Sequence, residues 1–243
     1  MTLFVILGVI IIGSIALGLY FRQQIVSTQT LKEAAETSNL PPELQSLKEE
    51  INECANVVSE EALYFVGQQG GYFLSPDNSI ATEEYSVAFG VQNGVKTLAS
   101  QDTLKNEVVS YVEAFLPECV DYTAYQDFEI FDQEPEASVS FNDEKSEFEI
   151  QYKVTAQKDG NAYNLFEPYE VVLPLRVKKV YETSSKIADD LVADSGNLDY
   201  SKILSYGMDV EVDTLGGDFV VVNVKDKKQD DDRNYEFQFG VSL

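Results

Sequence analysis

The chain contains no histidine and no tryptophan, only two cysteines and two methionines, and 17 basic residues against 42 acidic ones in 243. The missing histidine removes Ser-His-Asp and Cys-His catalysis, imidazole metal ligation and histidine-based pH switching together. The shortage of lysine and arginine leaves a formal net charge of −25. Nucleic acid is thereby excluded as a partner, because phosphate binding needs clustered cations. Adsorption to an anionic membrane surface is disfavoured for the same reason. Neither P-loop nor dinucleotide-binding glycine spacing occurs. No acidic stretch has the alternating ligands and central glycine of an EF-hand, and no Asn-x-Ser/Thr sequon is present. An enzyme built from this chain would have to work with Asp, Glu, Lys or Tyr alone. No such constellation stands out, so the expectation is a non-enzyme with no cofactor and no metal.

What is present suffices for a core. Apolar residues make up 44% of the chain, with 14 tyrosines and 14 phenylalanines. This composition argues against disorder for the bulk of the molecule.

The chain opens on MTLFVILGVIIIGSIALGLYF, in which Leu3 to Phe21 carry no charge. As a helix at about 1.5 Å per residue, that run spans about 28 Å, close to the ~30 Å of a bilayer core. A cleaved signal peptide fits poorly, for want of a basic n-region and a shorter apolar core. The run predicts a helix over 1–22 that either spans a membrane or packs in a filament core. Phe4, Ile6, Ile11, Ile15 and Leu17 are its core residues. Tyr20 sits where an interfacial aromatic belongs, and Gly8, Gly13 and Gly18 permit close helix approach.

Residues 23–43 read as a linker, with Pro41 and Pro42 breaking any continuing helix. Residues 44–243 read as one acidic extracellular α+β domain. A helix from Pro42 carries Leu44, Leu47, Ile51, Cys54, Val58, Ala62 and Phe65 at helical spacing. Gly67 and Gly70-Gly71 end it. Short strands are expected at Tyr72–Leu74 and Tyr85–Val91, with a turn at 92–94. A second helix is expected over Asp102–Leu116, its buried face made by Leu104, Val108, Tyr111, Val112 and Phe115, and Pro117 closing it. Strands follow at 137–142, 146–154, 169–180, 208–214, 218–226 and 235–242, with short helices at 184–193 and 199–206. The fold class is therefore α+β: a long N-terminal hydrophobic helix, then two or three helices packed on an antiparallel β-sheet.

Cys54 and Cys119 most simply form one disulfide in a cell-surface protein. Closing that loop would stabilise the fold by about 4 kcal/mol on a chain-entropy account. Two buried thiols are the alternative. A zinc site would need two carboxylates besides and is disfavoured. The acidic stretches, QDDDRN (229–234) above all, read as solvated loops, with weak cation binding the most they would support. Tyr122, Tyr125, Phe128 and Phe131 read as caps on a core, and QQGGYF (68–73) as a helix stop with a tight turn.

MTLFVILGVIIIG resembles the start of mature archaeal type IV pilin-like proteins. In that family a basic leader is cut just ahead of the apolar helix. The resemblance implies numbering that begins at or near a mature N-terminus. Val5 occupies the place where bacterial pilins commonly carry an acidic residue, so the likeness is to the archaeal type. The remainder, through INECANVVSEEALYFVGQQGGYF, VSYVEAFLPEC, YETSSKIADDLV and YEFQFGV, resembles a set of archaeal single-pass surface proteins with no known activity.

The function these readings imply is a structural subunit of an extracellular filament. It would assemble with copies of itself through the N-terminal helix, which is held in the membrane beforehand. The alternative is a single-pass anchored surface protein that binds a partner or serves the envelope and stays in the bilayer. An anchored enzyme ranks last.

Overall fold

A computed structural model describes residues 40–82, 85–197, 199–214, 219–227 and 234–242, with the side chain of Tyr200 excepted. The expected helix over 1–22, with Phe4, Ile6, Ile11, Ile15 and Leu17, lies outside the described residues. So do all but the last residues of the expected linker, and most of the QDDDRN loop. Among the described residues no helix is long and apolar enough to cross a membrane.

The chain divides into two units between Leu47 and Lys48. In the first, helix α1 (Pro42–Gln68) begins with proline in its first turn, where a missing N–H costs nothing. The amides of Leu44 and Gln45 close the turn onto the Pro41 carbonyl, at 3.0 and 3.1 Å.

In the second unit, α1 buries Ile51, Cys54, Ala55, Val58, Ala62, Leu63 and Val66, a helical stripe. It ends in a Schellman motif. Gly70, at φ +78°, donates to the Gly67 carbonyl at 3.3 Å, and Gly71 donates to that of Val66 at 2.9 Å. The helix thus passes through Gly67 and stops at Gly70.

The main sheet has the strand order β1 (Ser79–Ala81), β2 (Ser86–Gln92), β12 (Glu236–Ser242), β11 (Phe219–Lys225), β10 (Asp209–Thr214), with β3 (Val95–Lys96) hairpinned onto β2. Two three-stranded antiparallel sheets accompany it. One is β4 (Glu129–Asp132), β7 (Val154–Lys158), β8 (Asn161–Leu165). The other is β5 (Glu136–Phe141), β6 (Ser146–Gln151), β9 (Pro168–Leu173). Helix α2 (Gln101–Cys119) lies against β5, and helix α3 (Val177–Ala193) covers β2, β3, β11 and β12. A one-turn helix, α4 (Tyr200–Leu204), precedes β10.

The fold class stands corrected in two respects. The main sheet is mixed, because β12 runs parallel to β2, Gly240 opposite Phe89 and Val241 opposite Val91. A parallel neighbour needs a long crossover. Here the chain between β2 and β12 includes both smaller sheets and two long helices, a connection that local alternation cannot reveal. In addition, no long apolar helix stands among the described residues. The expected "antiparallel sheet after an apolar helix" is replaced by an α+β fold with a mixed sheet and three long helices.

Several element boundaries move for local reasons. The stretch 169–180 is not one strand. β9 ends at Leu173, and α3 starts at Val177 after Pro174. The β-branched Val177 and Val180 suggested a strand. They belong to the helical series continued by Ser184, Ile187, Ala188 and Leu191, all buried. The stretch 146–154 breaks after Gln151, and β7 then crosses into the other small sheet. Tyr72–Leu74 is loop, held by the Phe73 amide donating to Glu107 at 2.9 Å. Pro117 sits inside the last turn of α2, which continues to Cys119. So late in a helix, proline forfeits one backbone bond without ending the run.

β2, β11 and β12 are buried through most of their length. This is the signature of strands covered on both faces. Ile80, Val87, Phe89 and Val221 pack on one face. On the other, Tyr181 of α3 meets Phe237 edge-on at 5.9 Å.

Candidate ligand-binding cleft

The carboxyl-terminal half of α1 passes beside the start of β12. The approach is close because position 67 is glycine: a Cβ there would stand 2.5 Å from the Glu236 carbonyl oxygen. Outward from this crossing opens a cleft of about 630 Å³, within the range of small-molecule sites. It is lined by Glu61, Tyr64, Phe65 and Gln68 of α1, Tyr111 of α2, and Lys225, Asn234 and Glu236 from β11, β12 and the residue pair before β12.

Three aromatic side chains, Tyr64, Phe65 and Tyr111, are part of the lining. Phe65 and Tyr111 have centroids 5.3 Å apart. Both also touch Phe73, at 6.3 and 5.4 Å, and Tyr111 packs on Phe115 at 4.6 Å. Tyr64 leans on Tyr235 at 6.1 Å. Phe65 remains 38% exposed. The expectation that Phe65 completes the buried stripe of the first helix is therefore corrected, since Val66 takes that place. Tyr111 and Phe115 likewise sit beside the buried face of α2, which is Leu104, Val108, Val112 and Leu116.

The polar wall is unequal. Glu236 is largely withdrawn from solvent and accepts from Gln68 at 3.0 Å, Asn223 at 2.9 Å and Gln238 at 3.3 Å, with the Lys225 ammonium at 3.7 Å. Lys225 also donates to Glu211 at 2.8 Å. These hydrogen bonds and charges raise its pKa above the ordinary lysine value. Glu61, by contrast, is exposed, and among the described residues no cation pairs with it. Burial raises the Tyr111 phenol above its ordinary pKa, and the Glu61 charge adds to the effect.

The two cysteines are brought together. Cys54 and Cys119 form a disulfide with Cα atoms 5.8 Å apart, across 65 positions of sequence. It ties the middle of α1 to the end of α2 and fixes the angle at which Tyr64, Phe65 and Tyr111 meet.

The aromatics after Cys119 divide. Tyr122 exchanges a hydrogen bond with the buried Tyr152 at 2.8 Å, and Tyr152 donates to Asp132 at 2.5 Å. Tyr125 donates to Glu50 at 2.9 Å. Burial raises the phenol pKa of Tyr122 and of Tyr125 to about 12. Phe128 lies under the Lys158 ammonium at 4.8 Å. Phe131, at 48% exposure, stands largely in solvent.

A second hollow, of about 390 Å³, lies on the outer face of the β5–β6–β9 sheet among Ser138, Ser140, Glu149 and Glu170. Among the described residues no group of carboxylates or cysteines is placed to hold a metal ion.

None of the cleft residues was singled out from sequence as a site. Their signal was present only as aromatics one position off the apolar stripes of α1 and α2, the place from which a side chain leaves a core.

The fold and the cleft together define a disulfide-stapled α+β domain with an open, partly aromatic hollow on its surface. No known protein family matches the chain, and no curated protein or solved structure matches it.

Proposed function

We propose that the chain is a single-pass surface protein, anchored by its N-terminal apolar segment, whose acidic domain binds a ligand outside the cell. The observation that carries this reading is the open cleft at the α1–β12 crossing. The exposed carboxylate of Glu61 and the side chains of Tyr64, Phe65 and Tyr111 line it together. The Cys54–Cys119 disulfide supports an oxidising compartment. The uncharged run Leu3–Phe21 supports attachment to a bilayer.

A second reading, a filament subunit assembling with copies of itself, is favoured by the spelling MTLFVILGVIIIG and its spaced glycines. The two readings separate when cells making the protein are sheared. An anchored protein stays with the membranes, resists alkaline wash and is trimmed by protease from outside. Release as sedimentable fibres favours the filament instead. Recovery in the cytosol with both thiols reactive overturns both.

A further inference from the structure

We propose that the cleft is a site for a small organic cation, an alkylammonium or quaternary ammonium head group, seated against Tyr64, Phe65 and Tyr111 with Glu61 as its counter-ion. This inference rests on the cleft being the ligand site of the surface protein; the anchoring test is independent of it.

Charge selects the ligand class. The cleft holds Glu61, Glu236 and Lys225. Lys225 is already engaged by the Glu211 and Glu236 carboxylates. Glu236 is already satisfied by three side-chain amides, from Gln68, Asn223 and Gln238. What remains is Glu61, a carboxylate with no cation paired to it among the described residues, on a protein of net charge −25. Anions are repelled from such a surface, and cations are concentrated at it.

The aromatic wall then separates organic from metal cations. Ring faces attract an ammonium through their quadrupoles, and they bury its methyl or methylene groups at the same time. A bare metal ion needs a cage of several oxygen ligands, and among the described residues no group of three carboxylates is placed to hold one. Glu61 and Tyr111 are close enough for the carboxylate charge to bear on the phenol. The counter-ion and the ring therefore act on the same space.

The amides of Gln68 and Asn234 line the rim. Gln68 donates to Glu236 through its nitrogen, leaving its carbonyl oxygen to accept. A ligand carrying a hydroxyl or N–H a few bonds from its cationic centre would use that oxygen. Choline is the simplest stable quaternary ammonium that carries both features.

The test uses the full chain in phosphatidylglycerol nanodiscs, which present neither choline nor sugar head groups. Choline and its neutral isostere 3,3-dimethyl-1-butanol are titrated, with maltose as a third probe. Tyrosine fluorescence reports binding, since the chain has no tryptophan. Choline should bind at least about tenfold more tightly than the isostere. Glu61→Gln should weaken choline by about fivefold while leaving the isostere and the melting temperature unchanged. Tyr111→Ser should weaken both ligands. Equal affinity for choline and the isostere would overturn the cation assignment. Saturation by maltose without a choline response would overturn it too, but would leave a binding cleft in place. Silence toward all three probes would overturn the binding reading with it.

Discussion

Arg176 and Asp226, fifty positions apart, form a two-point ion pair in which the carboxylate is wholly buried and the guanidinium 11% exposed. The Arg176 Nε donates to one carboxylate oxygen at 2.7 Å, and an Nη donates to the other. Arg176 opens α3, and Asp226 follows β11, with its amide donating to the Tyr235 carbonyl at 3.1 Å. One contact thus fixes the start of the covering helix against the sheet. The Asp226 carboxylate is buried, so taking away the guanidinium that shares two hydrogen bonds with it, as in Arg176→Met, should cost about 3–5 kcal/mol. The double variant Arg176→Met/Asp226→Leu should recover most of that loss, because no lone charge is left behind. Urea unfolding of the two variants checks this. A double variant as unstable as the single one would refute the argument.

The pair also illustrates what the sequence withholds. Arg176 sits in LPLRVKKV, a run whose alternation reads as strand, and Asp226 is the last residue of DFVVVNVKD, which also reads as strand. Neither stretch signals a buried charge, because the partner of each comes from a distant element. The strands near the C-terminus were legible to within a residue or two because β10, β11 and β12 are sequential and antiparallel, so period-two patterning has local turns to confirm it. The parallel contact of β12 with β2 was not legible, since nothing in either strand records its neighbour. The cleft was least legible. Its aromatics fall one step from a core stripe, and a one-position shift separates Phe65 from Val66.

The Cys54–Cys119 bond closes a separation of 65 residues. A loop of that size restricts the unfolded chain enough to stabilise the fold by about 4 kcal/mol. Cys54 is buried while Cys119 is exposed, so a reductant approaches from the α2 side. Cys54→Ala/Cys119→Ser should lower the denaturant midpoint by an amount equivalent to about 4 kcal/mol. It should also lower the affinity of any cleft ligand, since the bond fixes α1 against α2. An unchanged midpoint would show that the loop is already restrained without the bond.

Alkaline pH should loosen the segment after Cys119. An ordinary tyrosine ionises near 10.0, and burial raises Tyr122 and Tyr125 to about 12. Below pH 10 both folded and unfolded chains keep these protons, and the stabilisation is fully present. Between about pH 10 and 12 the unfolded chain releases protons that the folded one retains, so stability falls with rising pH. Above the folded-state values there is no further loss from these two groups. Ultraviolet difference titration should show these phenols ionising late. Tyr122→Phe should remove one of the late phenols and flatten the fall in stability across that window. Phenols that all ionise near pH 10 in the folded protein would contradict this.

Two glycines with nearly the same backbone angle should respond differently to the same substitution. Gly70 (φ +78°) and Gly94 (φ +73°) both occupy the left-handed region. That conformation costs about 1–2 kcal/mol for an ordinary residue and less for asparagine. Gly94 follows Asn93, itself at φ +51°, in the two-residue turn joining β2 to β3, and a Cβ added there meets nothing. Gly70 ends α1, and a Cβ there lies 3.1 Å from the Cβ, nitrogen and carbonyl oxygen of Ala88. The Ala88 backbone cannot retreat freely, because its amide donates to the Gln69 carbonyl at 3.2 Å and its strand pairs on both sides. Gly94→Asn should therefore cost well under 1 kcal/mol. Gly70→Asn should cost about 1–3 kcal/mol from overpacking against fixed backbone. It should also shift the end of α1 and with it Gln68, so that cleft binding weakens in the Gly70 variant alone. Equal costs at the two positions would mean that backbone angle decides and that the contact with Ala88 contributes nothing.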